Sequence, residues 1–164
     1  MPGRNATLAC MATRTFDGPF GRLVLEAEGD ALTGVRWAVQ GERPRNEGKN
    51  ALLSDAARQF ERYFAGRLKR FDLKIRPAGS PFQQSVWKTM RSIPFGETGT
   101  YGGIAMALAS GARAVGTACG RNPLVIVTPC HRVLASGGAI GGYSGGRGLV
   151  TKRNLLALEG VVVP

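Results

Sequence analysis

The first third of the chain alternates between short apolar runs and turn residues, which is typical of a small β-sheet. Apolar residues recur with strand-like spacing over residues 22–28 and 31–37. Asp17-Gly18-Pro19 and Gly29-Asp30 supply turns at their ends. The segment 40–49 is polar and contains Gly and Pro, so we expect an exposed loop there.

A helix is predicted to follow this sheet. One of its faces carries apolar residues at i, i+3, i+4, i+7 and i+11, namely Leu53, Ala56, Ala57, Phe60 and Phe64. The helix should end near Gly66, and the alternation of Phe71, Leu73 and Ile75 predicts a further strand. Residues 76–79 form a plausible linker, so the pattern predicts an N-terminal α/β domain over residues 1–79.

A second domain is predicted over residues 80–164, and it opens with a strong helix start. Ser80 is suited to the N-cap, Pro81 to the first helical position and Gln83 to the reciprocal half of a capping box. Two short helices are then expected at 100–109 and 112–120, joined by a tight turn at Ser110-Gly111. This pairing suggests a helix-turn-helix.

The rest of the C-terminal pattern predicts a strand, a loop and a helix. The apolar, β-branched run 124–127 indicates a buried strand, and residues 137–146 form a glycine-rich loop whose backbone could approach a flat ligand closely. In the last helix Glu159 shares a face with Leu155, Leu156 and Lys152. An inward carboxylate needs a partner, and His131 is the obvious candidate. The alternative is a surface pair between Glu159 and Lys152.

Composition places the chain among soluble globular proteins. Of its residues 43% are hydrophobic and 20% charged, and neither a membrane-spanning run nor a signal-peptide pattern is visible. Three scattered cysteines indicate reduced thiols in a cytoplasm, and with one histidine no structural zinc pattern is present. We therefore expect no metal and no membrane partner.

The net charge of +11 is unevenly distributed. From residue 81 to the end there are 8 Lys and Arg but only two acids, Glu97 and Glu159. A half that is basic and poor in acids suits a phosphate-lined partner such as a nucleic acid. A solvated basic face is the alternative.

Candidate chemistry centres on Cys130, which stands beside the chain's only histidine, His131. A thiol reacts as the thiolate, so His131 must be the base if the chain does nucleophilic chemistry. Neighbouring side chains diverge in an extended segment, so a bridging water could be needed between them. The alternatives are a buried, inert cysteine, a Cys–His hydrolase that forms a thioester, and a DNA-binding module whose cysteine is incidental.

Several short motifs in a fixed order resemble the O6-alkylguanine-DNA alkyltransferases. They cover residues 81–160 well and the N-terminal part loosely. In chain order they are Thr100-Tyr101-Gly102, Arg113-Ala114-Val115-Gly116, Asn122-Pro123, Pro129-Cys130-His131-Arg132-Val133, Tyr143-Ser144-Gly145-Gly146 and Leu155-Leu156-Ala157-Leu158-Glu159-Gly160. Cys119 and Thr128 depart from the family pattern, since Thr128 stands where a branched aliphatic residue is usual.

The resemblance implies an RNase H-like N-terminal scaffold and a winged-helix-like C-terminal domain with a helix-turn-helix and an active-site cysteine loop. It also implies irreversible, single-turnover transfer of an alkyl group from guanine O6 in duplex DNA to Cys130, with O4-alkylthymine as a further candidate substrate. Such a transfer needs no cofactor, because the lesion itself is the alkyl donor. The partner would be alkylated double-stranded DNA bound through its minor groove by a monomer, with cooperative binding open.

The same resemblance implies roles for individual residues. Cys130, His131, Glu159, Tyr101 and Asn122 would be catalytic: the cysteine is activated by His131 and Glu159, Tyr101 donates toward guanine N3 and Asn122 braces the active loop. Arg113 would fill the space of the flipped nucleotide. The remaining residues fall into two groups, a DNA-binding group of Thr100, Tyr101, Ala114 and Gly116, and a base pocket of Val133, Gly141, Tyr143 and Ser144.

Overall fold

The computed structural model describes residues 11–164. Their contacts divide the chain into two compact units, with the boundary between Ala78 and Gly79. Among the described residues, no helix combines the length and the apolar character needed to cross a membrane.

The first unit is built on a four-stranded antiparallel sheet in the order β3-β2-β1-β4. Its strands are β1 (Met11–Gly18), β2 (Gly21–Glu28), β3 (Ala31–Trp37) and β4 (Asn46–Glu47). Leu23, Val24 and Leu25 of β2 are fully buried. The predicted strands at 22–28 and 31–37 are therefore confirmed, and β1 pairs with β2 along its whole length.

The helix α1 (Ala51–Phe64) is confirmed, with Asn50 as its N-cap. Its buried face includes Leu53, Ala56 and Phe60, as the periodicity predicts. Aromatic side chains of α1 pack with neighbours from β1, from the turn between β1 and β2 and from the segment after the helix. The rings in contact are Phe16, Phe20, Phe60, Tyr63, Phe64 and Phe71.

Two expectations for this unit are corrected. The loop 40–49 contains the short edge strand β4, which pairs with β1. Residues 71–75 do not form a strand: only Ile75 makes a parallel bridge, to Leu32, through two backbone hydrogen bonds of 2.8 and 2.9 Å. The alternation in that segment reflects alternating exposure of an extended chain rather than a ladder.

The second unit is mainly helical. It contains α2 (Pro81–Arg91), α3 (Tyr101–Ala107), α4 (Ala112–Gly120) and α5 (Leu149–Leu158). Two short strands, β5 (Gly99–Thr100) and β6 (Val133–Leu134), pair in parallel. Both halves of the capping box between Ser80 and Gln83 are present, so the predicted start of α2 is confirmed.

The expected strand at 124–127 is wrong. These residues form a tight turn in which Thr128 N donates to Leu124 O at 2.8 Å and Val127 N donates to Val125 O at 2.9 Å. Ile126 has a φ of +72°, which a β-branched residue seldom adopts. Leu124 and Ile126 are buried nevertheless. The apolar run therefore anchors a turn in the core instead of a strand.

Candidate active site

A cavity of about 250 Å³ lies in the second unit, with Cys130 in its wall. Its lining comes from α3, α4, the turn that follows α4 and the glycine-rich loop. The lining side chains that bear on chemistry are Tyr101, Cys119, Asn122, Cys130, Tyr143 and Ser144. Small residues, including Gly116 and Gly120 of α4, form much of the remaining wall.

Cys130 and His131 lie on a single 3-10 turn, Cys130–Arg132. Successive side chains on such a turn are roughly 120° apart, because it has about three residues per turn. Cys130 can thus face the cavity while the adjacent His131 is fully buried. The side chains of Cys130 and His131 therefore diverge, as expected, but the backbone that separates them is a 3-10 turn and not an extended segment.

Behind the thiol, His131 and Arg132 share one carboxylate. His131 Nε2 lies 2.8 Å from Glu159 Oε1. Arg132 Nε and Nη2 donate to the two oxygens of Glu159, each at 2.9 Å. The predicted contact between His131 and Glu159 is confirmed. The surface alternative for Glu159 is wrong, because its side chain is buried and bound to these two residues.

The charges of this cluster determine which nitrogen of the His131 imidazole carries the proton. Burial would raise the pKa of Glu159, but hydrogen bonds from His131 and Arg132 outweigh burial and lower it to about 2. Burial lowers the pKa of His131, against the pull of Glu159. An ionised carboxylate only accepts, so Nε2–H must be the donor and Nδ1 carries a lone pair. Among residues 11–164, that buried Nδ1 has no hydrogen-bond partner.

The thiol of Cys130 is protonated at rest, because burial raises its pKa. Three influences act in the opposite direction: a hydrogen bond from Asn122, the charge of Lys152, and backbone N–H groups of the turn. These groups reduce the rise in the pKa but do not abolish it, so the thiol needs a nearby base to become a nucleophile. The free lone pair of His131 meets that need.

Asn122 spans the turn that precedes Cys130. Its Nδ2 donates to Thr128 O at 2.7 Å, and its Oδ1 accepts from Leu124 N at 2.9 Å. The side chain therefore joins the segment after α4 to the residue two positions before Cys130.

Tyr101 lies at the start of α3, with its hydroxyl 3.4 Å from Gly142 O. Burial raises the pKa of this phenol to about 12, so it remains a proton donor at neutral pH. The ring packs close to Gly141, whose φ of +71° suits glycine.

The other predicted site residues lie partly in the cavity wall and partly outside it. Tyr143, Ser144 and Gly116 line the cavity, whereas Val133 is fully buried and, like Gly141, is outside its lining. Arg113 and Ala114 are exposed on α4. The hydroxyl of Thr100 caps α3 by accepting from Gly103 N at 3.0 Å.

Comparison with known proteins identifies the family. Residues 81–161 match the family described as 6-O-methylguanine DNA methyltransferase, DNA binding domain. Residues 11–77 match its ribonuclease-like domain. The chain belongs to the 6-O-methylguanine DNA methyltransferase family. The resemblance carried by the motifs and the α/β fold class with its two domain types are confirmed.

Relatives within the family match most of the chain. The methylated-DNA–protein-cysteine methyltransferase of Mycolicibacterium paratuberculosis is 43% identical over 89% of this chain and 90% of that protein. The one from Methanosarcina acetivorans is 42% identical over 88% and 96%. The solved structure of Mycobacterium tuberculosis OGT in complex with DNA is 46% identical, covers 90% of this chain and 91% of its own, and has a TM-score of 0.80.

Two residues of the site were missed as functional side chains by sequence reasoning. The sequence presents Arg132 only as part of the cysteine motif, but in the structure it binds Glu159 and donates to Ile93 O at 2.7 Å. The sequence presents Lys152 only as a neighbour of Glu159 on the last helix, but in the structure it is fully buried and its Nζ donates to Val133 O and Gly142 O. A lysine on the inward face of a helix was the available signal.

Proposed function

We propose that this chain repairs duplex DNA by taking the alkyl group of an O6-alkylguanine onto Cys130, once per molecule. O4-alkylthymine is a further candidate substrate. The observation that carries the proposal is a thiol in a cavity wall, backed by a buried imidazole whose free nitrogen is unprotonated and whose other nitrogen is held by Glu159. Curated relatives named methylated-DNA–protein-cysteine methyltransferase support it.

In the proposed reaction the thiol proton passes to His131 Nδ1, with a water as the bridge, and the thiolate attacks the alkyl carbon. The S–C bond forms as the C–O6 bond breaks, and the electron pair goes to the guanine. Tyr101 donates a proton toward guanine N3, which makes the base a better leaving group. Asn122 holds the thiol and the turn in place. The product is a thioether, for which the chain has no evident means of reversal.

The DNA would be bound through its minor groove by α3 and α4. Extrusion of the damaged nucleotide costs a few kcal/mol, and a side chain inserted into the stack can offset that cost. Arg113 is exposed on α4 and suits this role. Thr100, Tyr101, Ala114 and Gly116 would contact the DNA nearby. The basic, acid-poor second half of the chain would favour the phosphates.

The flipped base would occupy the cavity beside Cys130. Tyr143 and Ser144 line it and would contact the purine. Val133 and Gly141 would contribute backbone groups from behind the wall. Residues 80–164 would act as the DNA-binding and alkyl-acceptor domain and residues 1–79 as a scaffold. We expect a monomer in the cytoplasm that needs no cofactor or metal, with cooperative binding to DNA open.

Intact mass measurement tests the reaction. Wild-type protein mixed with excess O6-methylguanine duplex should gain one methyl group, and peptide mapping should locate it on Cys130. Cys130→Ala should bind the duplex but gain no mass. Cys119→Ser is the matched control, because Cys119 lines the same cavity but burial raises its pKa to about 12. Its methylation should match that of the wild type.

Other outcomes would favour the rival functions. Steady turnover of an ester substrate would support a Cys–His hydrolase. Unchanged DNA binding with no mass gain in the wild type would support a DNA-binding module with an incidental cysteine. A methyl group on any residue other than Cys130 would contradict the proposal.

The role of Arg113 is tested with two substrates. Arg113→Ala should lower methyl transfer from duplex DNA more than attack on free O6-benzylguanine, because only the duplex requires extrusion. Arg121→Ala, which removes a basic side chain that is also exposed just after α4, is the matched control. Equal losses on both substrates would exclude Arg113 as the inserted side chain.

A further inference from the structure

The proposed reaction gives no role to Arg91, which is partly buried in the last turn of α2. Its Nη1 donates to the side-chain hydroxyl of Thr128 at 3.1 Å. Burial lowers the pKa of Arg91, and among the described residues no carboxylate acts against that effect. An arginine below the surface is usually paired with a carboxylate or a phosphate, because a charged group is costly to remove from water. Here the guanidinium is directed at a neutral hydroxyl instead.

Thr128 lies two residues before Cys130, and only 1% of it is exposed. Its backbone carbonyl accepts two hydrogen bonds, from Cys130 N at 2.9 Å and from Asn122 Nδ2 at 2.7 Å. Its own N–H donates to Leu124 O at 2.8 Å. The carbonyl of Thr128 is therefore the common acceptor for the backbone of the nucleophile and for the amide that supports it.

The connection between Thr128 and Cys130 is stiff. Pro129 joins the two residues with a φ of −83° and a ψ of 70°, which are the angles of an inverse γ-turn. The proline ring also restricts φ, so the short segment has little freedom to absorb a displacement. Asn122 in turn gives the Cys130 thiol a hydrogen bond that acts to lower its pKa. A shift of the Thr128 carbonyl would therefore displace both the nucleophile and its hydrogen-bond donor.

The other end of the contact is anchored in the core of the second unit. The helix α2 buries Trp87 and Met90, and the indole of Trp87 donates to Ala118 O of α4 at 2.9 Å. Arg91 lies one turn beyond Trp87 on the same helix. Its guanidinium therefore reaches Thr128 from a backbone that is held independently of the cysteine turn.

A general benefit to the helix does not explain this contact. A cation in the last turn of a helix interacts favourably with the helix dipole, and Lys88 and Arg91 both lie there. Lys88 is exposed, however, whereas Arg91 is directed inward to a buried hydroxyl. The dipole alone requires no such contact, so the position of Arg91 points to a role at Thr128.

We propose that Arg91 and Thr128 are positioning residues for alkyl transfer: the guanidinium holds the hydroxyl, and this contact fixes the carbonyl that orients Asn122 and Cys130. Neither side chain is in the lining of the cavity, so both act through those two residues rather than by touching the substrate. The inference rests on the proposed function for its biological meaning, but the reactivity of Cys130 can be measured without DNA.

Single-turnover transfer from free O6-benzylguanine tests the pair, because this substrate has no phosphates and requires no nucleotide extrusion. The maximal rate constant and the half-saturating concentration would be measured separately by intact mass in folded variants. Arg91→Met and Thr128→Val should each lower the rate constant about tenfold, since misplaced reacting groups react slowly. The half-saturating concentration should stay near the wild-type value, because the cavity lining is unchanged. The double variant should be no slower than the slower single variant, because both substitutions break one contact.

Three further variants separate the contact from general effects on the fold. Thr128→Ser keeps the hydroxyl and should react at a rate near the wild-type value, which a loss through packing would not allow. Lys88→Met removes an exposed charge from the same helix as Arg91. Thr89→Val removes a hydroxyl that donates within that helix, to Ser85 O at 2.9 Å. Both of these controls should leave the rate constant unchanged.

A second measurement uses no alkylguanine and separates this inference from the proposed function. Iodoacetamide reports the thiolate, and peptide mass spectrometry would follow its reaction with Cys130 at one fixed pH. Arg91→Met and Thr128→Val should slow this reaction several-fold, because the donors that favour the thiolate are displaced. Slower reaction with iodoacetamide in these variants, together with no alkyl transfer in the wild type, would count against the proposed function alone.

Three outcomes would overturn the inference. They are a folded Arg91→Met or Thr128→Val that reacts with either reagent at the wild-type rate, a Thr128→Ser that is as slow as Thr128→Val, and losses that multiply in the double variant. Arg91→Met breaks the contact from the side of the helix, so the test stands even where Thr128→Val does not fold.

Discussion

Each of the two units contains a carboxylate bound by an arginine through two hydrogen bonds, and the two pairs differ in their surroundings. In the first unit, Arg36 donates to Glu42 at 2.7 and 2.9 Å. In the second, Arg132 donates to Glu159 at 2.9 Å twice. The pKa of both carboxylates is about 2. Yet 44% of the Arg36 side chain is exposed, against 8% for Arg132.

The comparison teaches that a lowered pKa does not by itself measure structural importance. A hydrogen bond from Arg36 is the main cause at Glu42, and water can replace that partner. At Glu159 the hydrogen bonds must first overcome burial, and loss of the carboxylate would leave Arg132 and His131 inside without compensation. In the second unit both partners are buried, whereas in the first unit the Glu42 side chain is 8% exposed and its partner Arg36 reaches the solvent.

The largest expected difference concerns the loss of each carboxylate. Glu159→Gln should destabilise the second unit by about 3–5 kcal/mol, because breaking a buried pair leaves an uncompensated charge. Hydrogen exchange, followed by mass spectrometry for each unit, would measure the loss of protection in α5 and in the turn at Cys130.

Glu42→Gln is the matched control in the first unit. It removes a carboxylate of similar pKa from a bidentate arginine, but the side chain of that arginine is 44% exposed, so water can replace the lost partner and the pair should contribute little. Protection of β2 and β3 should remain near the wild-type value. Similar losses for both substitutions would show that the arginine contact matters more than its burial.

The next largest difference between the two pairs should appear in the free energy of unfolding at acid pH. The folded pKa of Glu159 lies near 2, below its ordinary value of 4.5, so its contribution is present above pH 4.5 and is lost as the pH falls toward 2. A shift of this size corresponds to about 3 kcal/mol. Urea unfolding at about 0.5 M NaCl, which screens the surface pair, should show this loss in the wild type. Glu159→Gln should flatten that part of the curve, and an unchanged slope would contradict the assignment.

Elements that depend on local signals were predictable from the sequence. The start of α2 follows from Ser80, Pro81 and Gln83, because caps and fixed φ angles act within one helical turn. The inward position of Glu159 follows from the helical repeat of α5. The partner of that carboxylate could be guessed because the chain has a single histidine.

Features that depend on tertiary contacts were not predictable. The run 124–127 has the composition of a strand, but within residues 11–164 it joins neither sheet, and Asn122 instead holds it as a turn. Residues 71–75 have the edge strand β3 beside them, but they bridge it only between Ile75 and Leu32. The grip of Arg132 on Glu159 requires two segments 27 residues apart in the chain to meet, which no local pattern encodes.

A smaller effect is expected from Thr128, a buried polar residue just before the active turn. Its buried hydroxyl accepts from Arg91 Nη1 at 3.1 Å. Thr128→Val should cost about 1.5 kcal/mol, because a charged donor loses its acceptor. Thr117→Val, which removes an exposed hydroxyl from α4, is the control for chemical denaturation. A neutral or stabilising Thr128→Val would show that water replaces the lost contact at Arg91.

The smallest effects should be equal in the two units, and this equality completes the comparison. Asn50 caps α1 by accepting from Leu52 N and Leu53 N, and Ser80 caps α2 by accepting from Gln83 N. Asn50→Ala and Ser80→Ala should each cost about 1 kcal/mol in their own unit, because a lost cap leaves similar helix donors unpaired. Asn50→Asp and Ser80→Thr, which keep an acceptor, should lose much less. The two cap substitutions can be compared with the two carboxylate substitutions. If the caps lose equal stability while Glu42→Gln and Glu159→Gln lose unequal stability, then burial of charge, and not a general difference in stability, separates the units. Unequal cap losses would mean that the carboxylate substitutions had been compared on scaffolds of different strength.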